Sequence, residues 1–312
     1  MLNLPASENQ LAQPRICAIG GGKGGVGKSI LCTSMAINLA NQGYRCIMID
    51  ADLGGANLHT FLGMSPPNLS LSDMFRDSGK NLDQILLKTP FENLGLVSGS
   101  KAMLNIANLQ YQQKLKVIRQ VASLDADYIF IDLGAGSAFN VLDFFIFAHD
   151  GLLVLTPTPT AIENTYHFLR AAYFRKLRQV IRDLGAETFV DEALNERVKN
   201  GIRSPRDLMH DLMSRDSVLG QKINSIMEGF CPKLIINQVQ HYEDEELGHK
   251  IALACQDFFG IELAVAGVVR TDEKVLSSLK LHRPAMTMYP HSVFAEDVKS
   301  VVEKCMGSWN KR

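Results

Sequence analysis

The stretch Gly21–Ser29, GGKGGVGKS, limits what this 312-residue chain can become more than any other. Gly22, Gly27, Lys28 and Ser29 satisfy the pattern G-x-x-x-x-G-K-[ST]. Glycines let the backbone curl so that successive N–H groups point inward and form a nest for phosphate oxygens. The helix that follows adds its positive N-terminal end, Lys28 reaches the outer phosphates, and Ser29 is placed to ligate magnesium. The context agrees. Ile16-Cys17-Ala18-Ile19 before the loop reads as a buried strand. Ile30, Leu31, Ser34, Met35, Ile37, Asn38 and Leu39 after it fit a helix with one apolar side, ended by Gly43. The expected nucleotide cradle is therefore Gly22, Lys23, Gly24, Gly25, Val26, Gly27, Lys28, Ser29 and Ile30. Such a loop needs one lysine at its end, and Lys23 is a second.

Short apolar runs alternate with helical patterns along almost the whole chain. Strands are expected at 16–20, 45–49, 95–98, 127–131, 151–156, 233–237 and 264–269. Runs buried on both faces and separated by helices imply an α/β fold, a doubly wound, mostly parallel sheet flanked by helices. Ligands of such sheets sit at the carboxyl ends of the strands. Residues 183–229 break the rhythm: they hold mixed-charge helical patterns (204–214, 217–227) and no strand, and read as a helical insertion after a long helix at about 161–182. The expected organisation is a flexible extension at 1–14 and one P-loop domain over 15–312. A net charge of −1 gives no global pull toward nucleic acid or acidic lipid. Six scattered cysteines without a C-x-x-C pair suit a reducing compartment. With no 18-residue apolar run and no signal-peptide core, the expectation is a soluble cytoplasmic protein.

Two acidic sites lie at strand ends. Asp50 and Asp52, in DADLGGAN, can reach a magnesium shell and an attacking water. Asp132 closes the apolar run IFID in the Walker B manner, and the glycines after it let a loop move with a terminal phosphate. Any one of these is weak evidence, since Asp often caps a helix after a strand. Together and in this order they are strong.

At this point the chain resembles the deviant Walker A ATPases of the MinD/ParA superfamily, whose loop K-G-G-x-x-G-K-[ST] is matched by Lys23, Gly24, Gly25, Gly27, Lys28 and Ser29. The resemblance implies a job for Lys23: reaching across an ATP-bound homodimer to the phosphates held by the other subunit, the electrostatic device of an arginine finger. It further implies that ATP and Mg are the cofactors. Asp52 would position the attacking water, Asp50 support the magnesium region, and Asp132 hold a magnesium-bound water. Lys23, Lys28, Asp52 and Asp132 form the catalytic set; Ser29, Asp50 and Asp132 are the metal candidates, the carboxylates through water. Within the superfamily the chain is most similar to the flagellar site-determining proteins FlhG and FleN. DADLGGANL (50–58), GLVSGS (95–100), TPTPTAIENTY (156–166), LIINQV with Asn237, and VVRTDEKV (268–275) carry this likeness. It places Asn237, Arg270 and Asp272 beside the adenine. Thr158, Asn164 and Arg270 depart from the family pattern, which has Glu, Asp and Pro there.

The implied function is a dimerising ATP switch that controls the position or number of a cellular structure through a protein partner, activator or cargo. A ParA-type partitioning ATPase is the alternative. An iron–sulfur carrier on the same loop would need bridging cysteines, and the sequence has no C-x-x-C pair and no cysteine in the loop that follows Asp132. A ligase of this fold would need a substrate pocket of its own, and a tyrosine kinase a tyrosine-rich tail that the sequence lacks. For DNA, Arg175, Arg178 and Arg182 share one helix face, and the preferred reading is a solvated face paired with acids of the insertion. For membranes, Phe294, Val298, Val301, Val302, Cys305, Met306 and Trp309 form a stripe. It reads as the last core helix, leaving a weak anionic-membrane contact to Met306 and Trp309.

Overall fold

The computed structural model describes residues 13–52, 55–76, 80–99, 111–196, 200–241 and 243–309. Most of the extension expected over 1–14 lies outside these residues, as do Leu53, Gly54 and 310–312. In chain order the first half comprises β1 (Arg15–Gly20), α1 (Lys28–Asn41), β2 (Cys46–Asp50), α2 (Leu58–Phe61), α3 (Leu71–Arg76), α4 (Leu82–Ile85), β3 (Leu87–Lys88), β4 (Leu94–Val97), α5 (Tyr111–Ala122), β5 (Tyr128–Asp132) and α6 (Phe139–Phe147). The second half comprises β6 (Asp150–Leu155), α7 (Pro159–Asp183), α8 (Glu187–Asn195), α9 (Pro205–Arg215), α10 (Ser217–Glu228), β7 (Lys233–Val239), α11 (Glu243–Phe259), β8 (Ala264–Arg270), α12 (Glu273–Lys280), α13 (Ala285–Met288) and α14 (Val293–Trp309).

One sheet runs in the order β3-β4-β2-β5-β1-β6-β7-β8. Its pairs are parallel except β3–β4, an antiparallel edge of two residues that no sequence pattern announces. The apolar runs CIMID, YIFID and DGLLVL are buried along their whole length, as strands covered by helices on both faces must be. α1 and α14 cover one face; α6, α7 and α11 cover the other. From β1 the chain crosses to β2 on one side, while β6 lies on the other, so the sheet switches direction beside β1. Register does the rest. Asp50 pairs with Asp132 and Ile19 with Asp132, so the loop after Gly20 and both acidic strand ends reach the same edge.

At the opposite edge Asp150 accepts hydrogen bonds from Arg15 and Lys233, each at 2.7 Å, tying the first residues of β1, β6 and β7 together. The helix caps are legible. Pro159 opens α7, Ser204 and Asp207 form a reciprocal capping box on α9, and Asp216 accepts from Val218 and Leu219 on α10.

The inserted helices α8–α10 are not an appendage. Val190, Ala193, Leu208, Leu212, Ile223 and Met227 are buried in the common core, with α10 against α7 and α9 against α11. The mixed charges occupy only their outer faces. The basic stripe of α7 is also reduced. Arg175 turns onto Asp143 of α6, at 2.7 and 3.0 Å, and lies over the Phe139 ring, so its partner is not an acid of the insertion. In α14, Phe294, Val298, Val301, Val302 and Cys305 are all at most 3% exposed, which makes it a core helix. Little of its stripe is left for a lipid surface, and the side chain of Trp309 lies outside the described residues. Among the described residues no helix is long and apolar enough to cross a membrane.

Candidate functional site

The loop between β1 and α1 is built on two left-handed glycines, Gly25 (φ 78°) and Gly27 (φ 95°). Space decides which of its glycines are replaceable. A Cβ at Gly24 or Gly25 would meet nothing within 4 Å, so this side of the loop stands open. A Cβ at Gly22 would lie 2.0 Å from the Asn164 carbonyl oxygen, because the second turn of α7 packs directly on the loop backbone. On the far side Asn237, 6% exposed, donates from Nδ2 to the Val26 carbonyl at 2.8 Å. The loop is therefore held between two strand–helix connections and open on its remaining side.

The two lysines occupy different places. Lys28 is buried, and its Nζ donates to the Lys23 carbonyl at 3.3 Å, inside the curl. Burial lowers its pKa, and the charges of Asp132 and Asp52 pull it back up. Lys23 is exposed and points away from its own cradle, donating to Thr160 Oγ1 at 2.9 Å on the first turn of α7.

The acidic residues also divide. Asp50 is 1% exposed and accepts from the backbone N–H of Asp52 (3.3 Å) and Leu58 (3.1 Å), so it anchors both ends of the segment that carries Asp52. Asp52 accepts from Gly55 N–H at 3.1 Å. Its carboxylate faces Gly134, where a Cβ would come within 3.2 Å. Asp132 shares a hydrogen bond with the Ser29 hydroxyl, and its Oδ1 is buried with no partner. Backbone bonds lace the loops together: Ala51 N–H to Asp132 O, Leu133 N–H to Ile19 O, and Gly136 N–H to Gly21 O.

These residues fit a nucleotide phosphate with a magnesium ion. The open glycine curl and the helix N-terminus suit the anion, and the orphaned Asp132 oxygen beside Ser29 suits a hydrated cation. Among the described residues no group of three His, Cys, Asp or Glu side chains gathers to hold an ion unaided. That agrees with a magnesium that takes most of its ligands from water and phosphate.

Burial makes the Asp132 and Asp50 carboxylates costly to ionise. Burial pushes the Asp132 carboxyl up to about 7 and the Asp50 carboxyl up to about 6. A folded pKa above the unfolded one means that the native state holds protons the unfolded chain has released. This contribution to stability is complete below pH ~4 and is lost as pH rises through 6–7. Burial lowers the pKa of His149, which accepts from Ile16 N–H, so its contribution runs the other way and is lost as pH falls below ~6.5. The nucleotide-free Asp132→Asn protein is therefore expected to melt above the parent at pH 8, by a few kcal/mol in stability, and close to it at pH 4. Thermal unfolding at the two pH values checks this; an equal gain at both would mean that the Asp132 charge is not the cause.

The sequence-derived adenine residues are less uniform. Arg270 donates to Asp297 of α14 from Nε (3.0 Å) and Nη2 (2.6 Å), and its own N–H adds a third bond. Asp272 caps α12, accepting from Lys274 N–H, and also accepts from Phe294 N–H. Both already serve to dock α14 and α12. Thr160, which receives Lys23, and Asn164, which covers Gly22, carry no signal that would place them at the loop; only packing shows it.

The family model described as CobQ/CobB/MinD/ParA nucleotide binding domain matches residues 17–285. The antiactivator FleN of Pseudomonas aeruginosa is 25% identical over 296 residues, covering 95% of this chain and 87% of FleN. Among solved structures, the septum site-determining protein MinD of Pyrococcus horikoshii, complexed with Mg-ADP, superposes with a TM-score of 0.63 at 19% identity, covering 94% of this chain and 96% of that one. The MinC:MinD cell division complex of Aquifex aeolicus gives 0.61 at 17% identity, covering 94% and 96%. These structural likenesses concern the fold.

Proposed function

Because the chain belongs to the CobQ/CobB/MinD/ParA nucleotide-binding family, we propose that it is an ATP-dependent dimerising switch that hydrolyses ATP to ADP and phosphate. By its likeness to FleN over nearly its whole length, it sets the number or position of a cellular structure through a protein partner. One observation carries this reading: the two lysines of the loop are separated, Lys28 inside the cradle and Lys23 outside it. An exposed lysine that bonds outside its own cradle, next to the open glycines Gly24 and Gly25, is placed to serve a nucleotide held by a facing copy.

Within the subunit, Lys28, the loop N–H groups and Ser29 orient the phosphates. Asp132 is placed to accept from a magnesium-bound water. Asp50 fixes the segment that aims Asp52, and Asp52 faces the Gly134 loop where an attacking water would be oriented. Bound magnesium would supply charge neutralisation at the phosphates.

Light scattering with saturating Mg·ATP tests the proposal. The parent is expected to double in mass. Lys23→Ala should bind ATP with near-parent affinity and stay monomeric, since the residue lies outside the cradle. A Lys23→Ala protein that dimerises as the parent does would remove the trans role of this lysine.

A further inference from the structure

A second concavity lies beside the nucleotide loop and shares with the expected cradle only Ile30, the residue at its edge. It encloses about 280 Å³ between α1, α2 and the α12–α13 corner. Ile30, Phe61, Leu279 and Ala285 give it apolar walls. One feature marks it as more than a packing defect. Thr33, on its α1 wall, is 3% exposed and its hydroxyl has no hydrogen-bond partner. A buried hydroxyl left unpaired costs about 1–3 kcal/mol and calls for an occupant that satisfies it. The far wall is formed where two helices end: His282 (φ 51°) and Gly63 (φ 70°) are the left-handed caps of α12 and α2, and a Cβ at Gly63 would sit 2.7 Å from the His282 carbonyl oxygen.

The next residue sets the charge. Arg283 lines the concavity, is exposed, and makes no ion pair among the described residues. Apolar walls, one buried hydroxyl without a partner and a lining arginine that makes no ion pair among the described residues describe a receptor for a small amphipathic carboxylate. We propose that this cleft binds an aromatic or short acyl carboxylate of on the order of ten heavy atoms, its body against Phe61 and Leu279 and its carboxylate on Arg283. The position gives such a ligand leverage. Phe61 belongs to α2, whose first N–H, that of Leu58, is held by Asp50. An occupant pressing on α2 therefore bears on the segment that carries Asp52.

The experiment uses the full chain saturated with Mg·ADP, so that the nucleotide site is already filled. The probes are 4-propylbenzoate and its matched alcohol, 4-propylbenzyl alcohol, titrated by ¹H–¹⁵N chemical-shift mapping. The acid is expected to bind roughly tenfold more tightly than the alcohol, with shifts at Thr33, Phe61 and Leu279. Arg283→Gln should remove that tenfold preference and leave the alcohol unchanged, and Leu279→Trp should abolish binding of both. The proposal falls if ADP displaces the acid, because the cleft then belongs to the nucleotide. It falls equally if acid and alcohol bind alike, or if neither binds.

Discussion

Lys28→Ala is expected to lower affinity for Mg·ADP by ~100-fold or more, about 2.7 kcal/mol. The magnitude follows from where the ammonium sits. It is buried in the curl, its N–H groups are donors to the Lys23 carbonyl there and would turn to a bound phosphate, and hydrogen bonds to charged groups are the strong ones. The loss should not come from unfolding, since alanine is the best helix former and position 28 opens α1. Fluorescence anisotropy of a labelled nucleotide, alongside a melting curve without nucleotide, separates the two. A variant within threefold of the parent would assign the phosphates to some other cation. The contrast with Lys23→Ala is itself informative: one lysine is expected to govern binding, the other association.

Asp52→Ala is expected to slow ATP turnover by ~10²-fold or more, about 2.7 kcal/mol of barrier, while binding persists. The ATP-held dimer would then accumulate instead of decaying. Asp50 is a poor substitute for this role, since both its oxygens already accept backbone N–H groups. Among the described residues the Asp52 carboxylate accepts from the Gly55 N–H of its own turn, and it faces Gly134 after Asp132. Single-turnover hydrolysis measures the chemical step directly. A parent rate in Asp52→Ala would reduce Asp52 to a turn former.

The sheet was legible because its strands are apolar on both faces, and a run such as YIFID has no other stable home. The phosphate loop was legible because its geometry demands particular residues at consecutive positions. What escaped the sequence depends on long-range packing. Asn237 and Val26 stand 211 positions apart and meet through one hydrogen bond, and Lys23 and Thr160 are 137 apart. The buried side of α8–α10 was hidden by the charges of its exposed side, since Leu208, Leu212 and Ile223 are interspersed with Arg206, Asp207 and Lys222. β3 has two residues, too few for any period to register.

The contact between Gly22 and Asn164 has a mechanical consequence. The loop backbone and the second turn of α7 touch without slack, so neither can shift alone. From Asn164 the helix continues to Asp183, ~29 Å at 1.5 Å per residue, to the edge of α8. A rigid rod of that length, pivoting by ~4° at the loop, swings its far end by ~2 Å. A settling of the loop too small to see at the phosphates would therefore arrive at the inserted helices enlarged to the width of a side-chain contact.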